Sequence, residues 1–496
     1  MDLPSGSVWD YDAPRYGELA ENVDCDVAVI GGGIAGISCA YRLSKAGFDV
    51  AVFEAKRIGR GETLGSSAMI SYAQDLIYAR LIKKHGVNTA QKYLDYSRAA
   101  VGEIAGIVEK EKIDCGFRRC ESYIYAVEEK HIKALVKEQR AYEKLGLMCP
   151  MVRETELPFS IAAAIMLEGQ AQFNPYRYVH GLAAAVIKAG GKIYENTRII
   201  TQPKGNTLLY GDKKITAKYF IAATHFPYLN LPGFYFFKLF QHRSYNIAYR
   251  GGAVLKGMYE SADEQGLEFR GIGGGLNNAG GANVRCGKKH NESYYEKVQQ
   301  RLMNAYGEHI NIKYRYSAQD CMTLDDLPLV GRYGIGLENV FVVTGFNKWG
   351  MTKSIICADI LTDLIKAKES WTEPRLDNIF DTKRPANIMA APRAVEHVAT
   401  IAGSWFTSLF SPDSRKLKNI KNGTGGIVRM KGRRLGVYKD ENGKVYAIDA
   451  VCPHLNCSLK WNPDEKSWDC PCHGSRFDIE GNILTNPSYK NAERIK

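Results

Sequence analysis

The run Gly31-Gly-Gly33-Ile-Ala-Gly36 constrains this chain more than any other feature, because of what stands on either side of it. A Val- and Ile-rich stretch at 26–30 precedes it, and apolar residues recur at helical spacing over 34–46 behind it. A second short apolar run, 49–54, ends on the acidic Glu54. Strand, glycine turn, helix and strand make a βαβ unit. The glycines let a pyrophosphate approach the helix N-terminus, and a carboxylate at the end of the second strand can accept ribose hydroxyls. A dinucleotide site follows, with FAD and NAD both open.

At 496 residues and 55.3 kDa the chain exceeds one ordinary core, so two or three domains are expected. Its composition, 45% hydrophobic and 24% charged, is that of a packed protein and excludes a disordered chain. No stretch reaches the roughly 18 unbroken apolar residues of a membrane span, and residues 1–20 lack a signal peptide's apolar centre, so a cytoplasmic protein with no transmembrane segment is expected. Lys and Arg are scattered, so the formal charge of +12 does not point to nucleic acid.

Beyond the βαβ unit the pattern predicts a helix over 178–189, strands at 192–194, 207–210, 219–223 and 340–344, and a helix over 354–365. Residues 73–144 are charged and periodic and should be mainly helical. Residues 236–312, with strand-like runs such as 245–250, should form a substrate-facing sheet. Gly271-Ile-Gly-Gly-Gly275 has no helix behind it, so it predicts a loop and not a second nucleotide site. An apolar-faced segment, 390–410, predicts a connector helix packed on one domain. From 417 onward, short β runs broken by Asn422-Gly423, Lys431-Gly432 and Asn442-Gly443 describe an all-β module.

The residues after Glu54 distinguish the nucleotides. Arg57 to Ile70, with Thr63, Ser66 and Ser67, and the later runs Leu327-Pro-Leu-Val-Gly331 and Val343-Thr-Gly345-Phe-Asn-Lys-Trp-Gly350-Met-Thr352, closely resemble the glycine oxidase and D-amino-acid oxidase (DAO) type of FAD-dependent oxidoreductase. The resemblance implies an α/β architecture, a Rossmann-like FAD-binding domain with an interleaved α+β substrate domain. By position it assigns the FAD to Gly31, Gly33, Ile34, Ala35, Gly36, Glu54, Ala55, Thr63, Ser66, Ser67, Ile199, Ala223, Thr224, Gly345, Lys348, Trp349, Gly350, Met351 and Thr352. One departure is Ala68-Met69, where the family often has Gly-Gly or Gly-Leu. The expected division is an arm at 1–23, the FAD-dependent unit at 24–368, a connector at 369–414 and the β module at 415–496. FAD-binding parts fall at about 24–72, 150–235 and 313–368, and substrate parts at about 73–149 and 236–312.

The β module holds the second motif. Cys452-Pro-His454 and Cys470-Pro-Cys-His473 offer two thiolates and two imidazoles, a set that suits a Rieske 2Fe-2S centre and, by count alone, structural zinc. Residues 452–478 resemble the Rieske proteins of cytochrome bc complexes. That likeness implies a 2Fe-2S cluster on Cys452, His454, Cys470 and His473, a disulfide between Cys457 and Cys472, and a Ser475 hydrogen bond to a cluster sulfur. Phe477 replaces the tyrosine of high-potential relatives, which removes one such bond and predicts an intermediate to high potential. The other histidines lie more than ten residues apart, which excludes a local two-histidine iron site of the oxygenase kind.

Joined, the two motifs predict an enzyme that oxidises a small amine or amino acid and passes electrons singly from FAD to the cluster and on to an external carrier protein. His242, Arg243, Tyr245 and Lys348 are the candidate catalytic residues, expected to orient substrate. Residues 415–496 hold 16 Lys plus Arg against 9 Asp plus Glu, which suits an acidic carrier. The competing readings are a reductase relaying electrons from a soluble donor to a partner protein, and a non-enzymatic redox sensor.

Overall fold

The computed structural model describes residues 6–264, 266–288, 292–384, 392–410, 417–430 and 432–495. Lys431 and residues 390–391 and 411–416, parts of the predicted turn, connector and module start, lie outside them.

Strand Val23–Ile30 is the axis of a seven-stranded sheet. Val50–Phe53 pairs parallel on one side of it and Lys213–Ala222 parallel on the other. Lys192–Tyr194 and Val340–Thr344 extend the sheet, also in parallel. Parallel strands buried on both faces need continuous apolar runs, and Val27, Val29, Val50 and Val52 are fully buried. Helices Ile34–Lys45 and Gly350–Glu369 pack on this sheet.

A nine-stranded mixed sheet stands beside it, with Leu239–Arg250 between Asn311–Thr323 and Leu276–Arg285, followed by Glu268–Gly273. The glycines at 273–275 turn the hairpin between the last two, as expected of a loop. Two expectations are corrected. Region 73–144 contains helices Ile77–Lys110 and Ile132–Lys144, but Arg118–Ala126 between them is a strand of this sheet, alternating in burial from Arg119 to Ile124. Region 236–312 contains a helix, Tyr294–Tyr306, whose N-cap Ser293 accepts from the Glu296 amide.

The C-terminal module is two four-stranded antiparallel sheets. Helix Pro392–Phe410 touches both units and not one: Arg393 pairs with Asp326, His397 Nε2 meets the Phe236 carbonyl, and Trp405 Nε1 donates to the Leu455 carbonyl of the module. Among the described residues no helix is long and apolar enough to cross a membrane.

Candidate functional site

The glycine turn is built by close approach. A Cβ on Gly36 would lie 1.9 Å from the Gly31 carbonyl oxygen, so only glycine lets the helix start tightly against the strand. Gly33, the N-cap, has no side-chain cap bond, and no acidic residue stands in the first turn, which leaves that positive end open to an anion. Glu54 answers from the neighbouring strand, its carboxylate accepting from the Gly32 and Lys56 amides, while burial raises its pKa.

A cavity of about 530 Å³ opens from this turn. Every FAD-side position named above lines it except Gly36 and Thr352. Gly36 acts through the turn, and Thr352 is buried with its hydroxyl exchanging hydrogen bonds with the Ser71 backbone. The far wall is held in place by strained and buried groups. Asn347 and Lys348 have left-handed backbones, φ 50° and 72°, and the Asn347 side chain fixes this bend by accepting from the Thr323 amide and donating to the Gly345 carbonyl. Arg270, 1% exposed, donates to the Ser67 and Ala68 carbonyls and holds the loop that carries the Ala68-Met69 departure. Burial lowers its pKa to about 10. Sequence reading missed Arg270 because its partners lie about two hundred residues away.

The candidate catalytic residues separate. Lys348 lines the cavity. Arg243 also lines it, but its guanidinium is committed to Glu465 of the C-terminal module at 2.7 Å and to Ser317. Tyr245 turns away, its ring against Tyr294 and Tyr295 and its hydroxyl near Asn462. His242 is off the cavity wall beside Phe240, its pKa pushed down to about 3 by burial and neighbouring cations. Ser244 and Asn246, on the same strand, line the cavity in their place, with Asp75, Glu268, Asn283 and Asp320.

The predicted cluster ligands converge. Cys452 and Cys470 are buried free thiols close enough to share a hydrogen bond, and the His454 and His473 rings stand 5.1 Å apart. His454 Nδ1 and both His473 nitrogens are buried without a hydrogen-bond partner. Orphaned imidazole nitrogens two and three residues along the chain from two neighbouring free thiols fit a 2Fe-2S cluster, which would complete their valences. Cys457 and Cys472 form a disulfide, so although Cys457, Cys470 and Cys472 are close neighbours, only Cys470 among them has a thiolate to give. Ser475 is within hydrogen-bonding reach of Cys452.

The ligand loops face inward. His454 Nε2 meets Asn230 Oδ1 at 2.5 Å, and Phe226 and Phe236 flank the His473 ring. Gln241 donates to the His473 carbonyl at 2.6 Å, and Gln319, which lines the cavity, donates to the Gly474 carbonyl at 2.7 Å and to Gln241. Gly474 has φ 79°, and a Cβ there would lie 2.8 Å from that of Gln241, so glycine permits this approach. Residues 484–489 of the module form part of the cavity wall.

Residues 26–364 match the FAD dependent oxidoreductase family, and residues 413–496 match the Rieske [2Fe-2S] domain. The chain is 32% identical to the Rieske 2Fe-2S iron-sulfur protein YhfW of Bacillus subtilis over 98% of its own length and 96% of that protein's. It is 30% identical to gamma-glutamylputrescine oxidoreductase of Escherichia coli, over 42% of this chain and 50% of the other. Glycine oxidase from Geobacillus kaustophilus shares the fold at a TM-score of 0.62 and 19% identity, covering 73% of this chain and all of that one.

Proposed function

This chain belongs to the FAD dependent oxidoreductase family and carries a Rieske [2Fe-2S] domain, and from that premise we propose that it is a dehydrogenase of a small amine or amino acid whose electrons leave through the cluster to an external one-electron acceptor. It is an FAD enzyme with a 2Fe-2S centre, related to amine and amino-acid oxidases. When bound, FAD supplies a two-electron acceptor and the cluster a one-electron carrier. The substrate's C–N single bond becomes C=N as two electrons and two protons leave it.

The chain's own residues divide this work. The open helix end behind Gly33 would hold the pyrophosphate, and Glu54 the ribose. Cys452, His454, Cys470 and His473 would hold the cluster. The Lys348 ammonium would set positive charge against the ring system's electron-rich edge. Arg270 and Asn347 hold in position two of the loops that line the cavity the ring would occupy.

The observation that carries the reading is the bridge from the cavity wall to the cluster loop: Gln319, on the wall, donates to the Gly474 carbonyl and to Gln241, which donates to the carbonyl of the cluster ligand His473. An oxidase that hands electrons to oxygen has no use for that contact. The amine oxidised by the Escherichia coli relative supports the substrate class, and the basic surplus of residues 415–496 suits an acidic carrier.

The test is an anaerobic mixing experiment on the holoprotein with a panel of amines, amino acids, NADH and NADPH, followed by flavin absorbance and by EPR of the cluster. An amine or amino acid should bleach the flavin, with the cluster signal following. Bleaching by NADH or NADPH alone would establish the donor-to-partner relay instead.

A further inference from the structure

The end of the cavity at Lys348 is acidic. Lys348 stands among Asp75, Glu268, Asp320 and Glu260; burial pulls its pKa down, and those four carboxylates outweigh burial and leave it raised. Asp75, Glu268 and Asp320 line the cavity with Lys348. Two of them are built into the wall: Ser244 Oγ donates to Asp320 Oδ2 at 3.3 Å, and Asn283 Nδ2 reaches Glu268 Oε1 at 3.5 Å. Glu260, 2% exposed, faces Asp75, Glu268 and Lys348 from behind. Its Oε2 accepts from the Asp75 amide, and its Oε1 is buried with no partner. The charges of four carboxylates act on one ammonium, and one buried carboxylate oxygen still lacks a donor.

Among the described residues no arginine is free at that end to pair with an α-carboxylate. Of the arginines that line the cavity, Arg243 is paired with Glu465, Arg476 with Asp469 and Glu465, and Arg60 with Asp10, while Arg198 stands at the Glu54 end. Lys348 is outnumbered there by the carboxylates whose charge acts on it.

Resting on the dehydrogenase reading above, we infer that the substrate is an amine with a second cationic nitrogen and no α-carboxylate: one nitrogen is presented for oxidation while the other is held by Asp75, Glu268 and Asp320. Burial and mutual repulsion support this, since they push Asp320 up to about 7 and raise Glu268 and Glu260. A bound cation relieves both effects.

The experiment is an anaerobic titration of the FAD-loaded full chain with 1,4-diaminobutane, butylamine and 2-aminobutanoic acid. Affinity is read from the perturbed flavin spectrum and from thermal stabilisation, and flavin bleaching is read separately. The diamine should bind about tenfold or more tightly than butylamine, an advantage that shrinks with added salt. Asp320→Asn and Glu268→Gln, near-isosteric and checked by flavin content, should each cut diamine affinity about tenfold and leave butylamine within about twofold. Equal or tighter binding of butylamine or the amino acid overturns the inference, as does unchanged diamine affinity in both flavin-loaded variants. If the amino acid bleaches the flavin and the diamine does not bind, the inference falls and the dehydrogenase reading stands. If the diamine binds with the expected dependence and no member of a broader amine panel bleaches the flavin, the cation site stands and the dehydrogenase reading falls.

Discussion

At Gly36 a single hydrogen atom decides whether the nucleotide turn closes, because any Cβ would collide with the Gly31 carbonyl. Gly36→Val should therefore lose FAD while the β module keeps its cluster. Overpacking of this kind costs about 1–3 kcal/mol or more, so the flavin-to-protein ratio of purified protein should fall about fivefold or more while its EPR signal persists. Positions like this one are readable in the sequence because the chemistry admits one residue type. The same holds for Cys452, His454, Cys470 and His473, whose donor atoms the cluster requires. The acidic wall was not readable in this way. Asp75, Glu268 and Asp320 are unremarkable in sequence, and become a site only when a loop and two strands of one sheet bring them together. His242, Arg243 and Tyr245 stand out by type, but it is Ser244 and Asn246 that line the cavity with Arg243, in a strand whose register shifts between Arg243 and Tyr245, so strand periodicity alone does not pick them.

Among the elements, those with a strong single period were read closely: the parallel strands around Val23–Ile30 and the helix Ile34–Lys45 fall within a few residues of expectation. The strand Arg118–Ala126 was hidden by charged neighbours that read as helix on both sides. Helix Tyr294–Tyr306 announced itself only through Ser293 and Glu296, an N-cap signal set in a region whose glycines suggested sheet. Ser293 has a second role, since its hydroxyl also donates to Asp464 of the module. Ser293→Ala should therefore cost more than the ~1 kcal/mol of an ordinary lost cap, and the excess should vanish in an Asp464→Ala background, read as a double-mutant cycle of thermal stability.

Over the whole molecule the two units are clamped through Glu465, which accepts from Arg243, Arg476, Ser317 and Tyr295. Burial would raise this carboxyl, but the two guanidiniums and two hydroxyls outweigh it and hold it at about 2, below its ordinary 4.5. A depressed carboxylate contributes stability that is complete above about pH 4.5 and is lost as pH falls through about 2. The difference corresponds to about 3 kcal/mol. Glu465→Gln should flatten that part of the acid stability profile and slow reduction of the cluster by the flavin, with flavin bleaching by substrate little changed. The packing of His454 against Asn230 and of His473 between Phe226 and Phe236 has a kinetic meaning as well. Donor and relay sites are parts of one chain, so on the proposed route electron passage between them would be a unimolecular event. Its observed rate should stay constant on tenfold dilution of the protein and across a range of salt, whereas delivery to any outside carrier must obey second-order kinetics and respond to both.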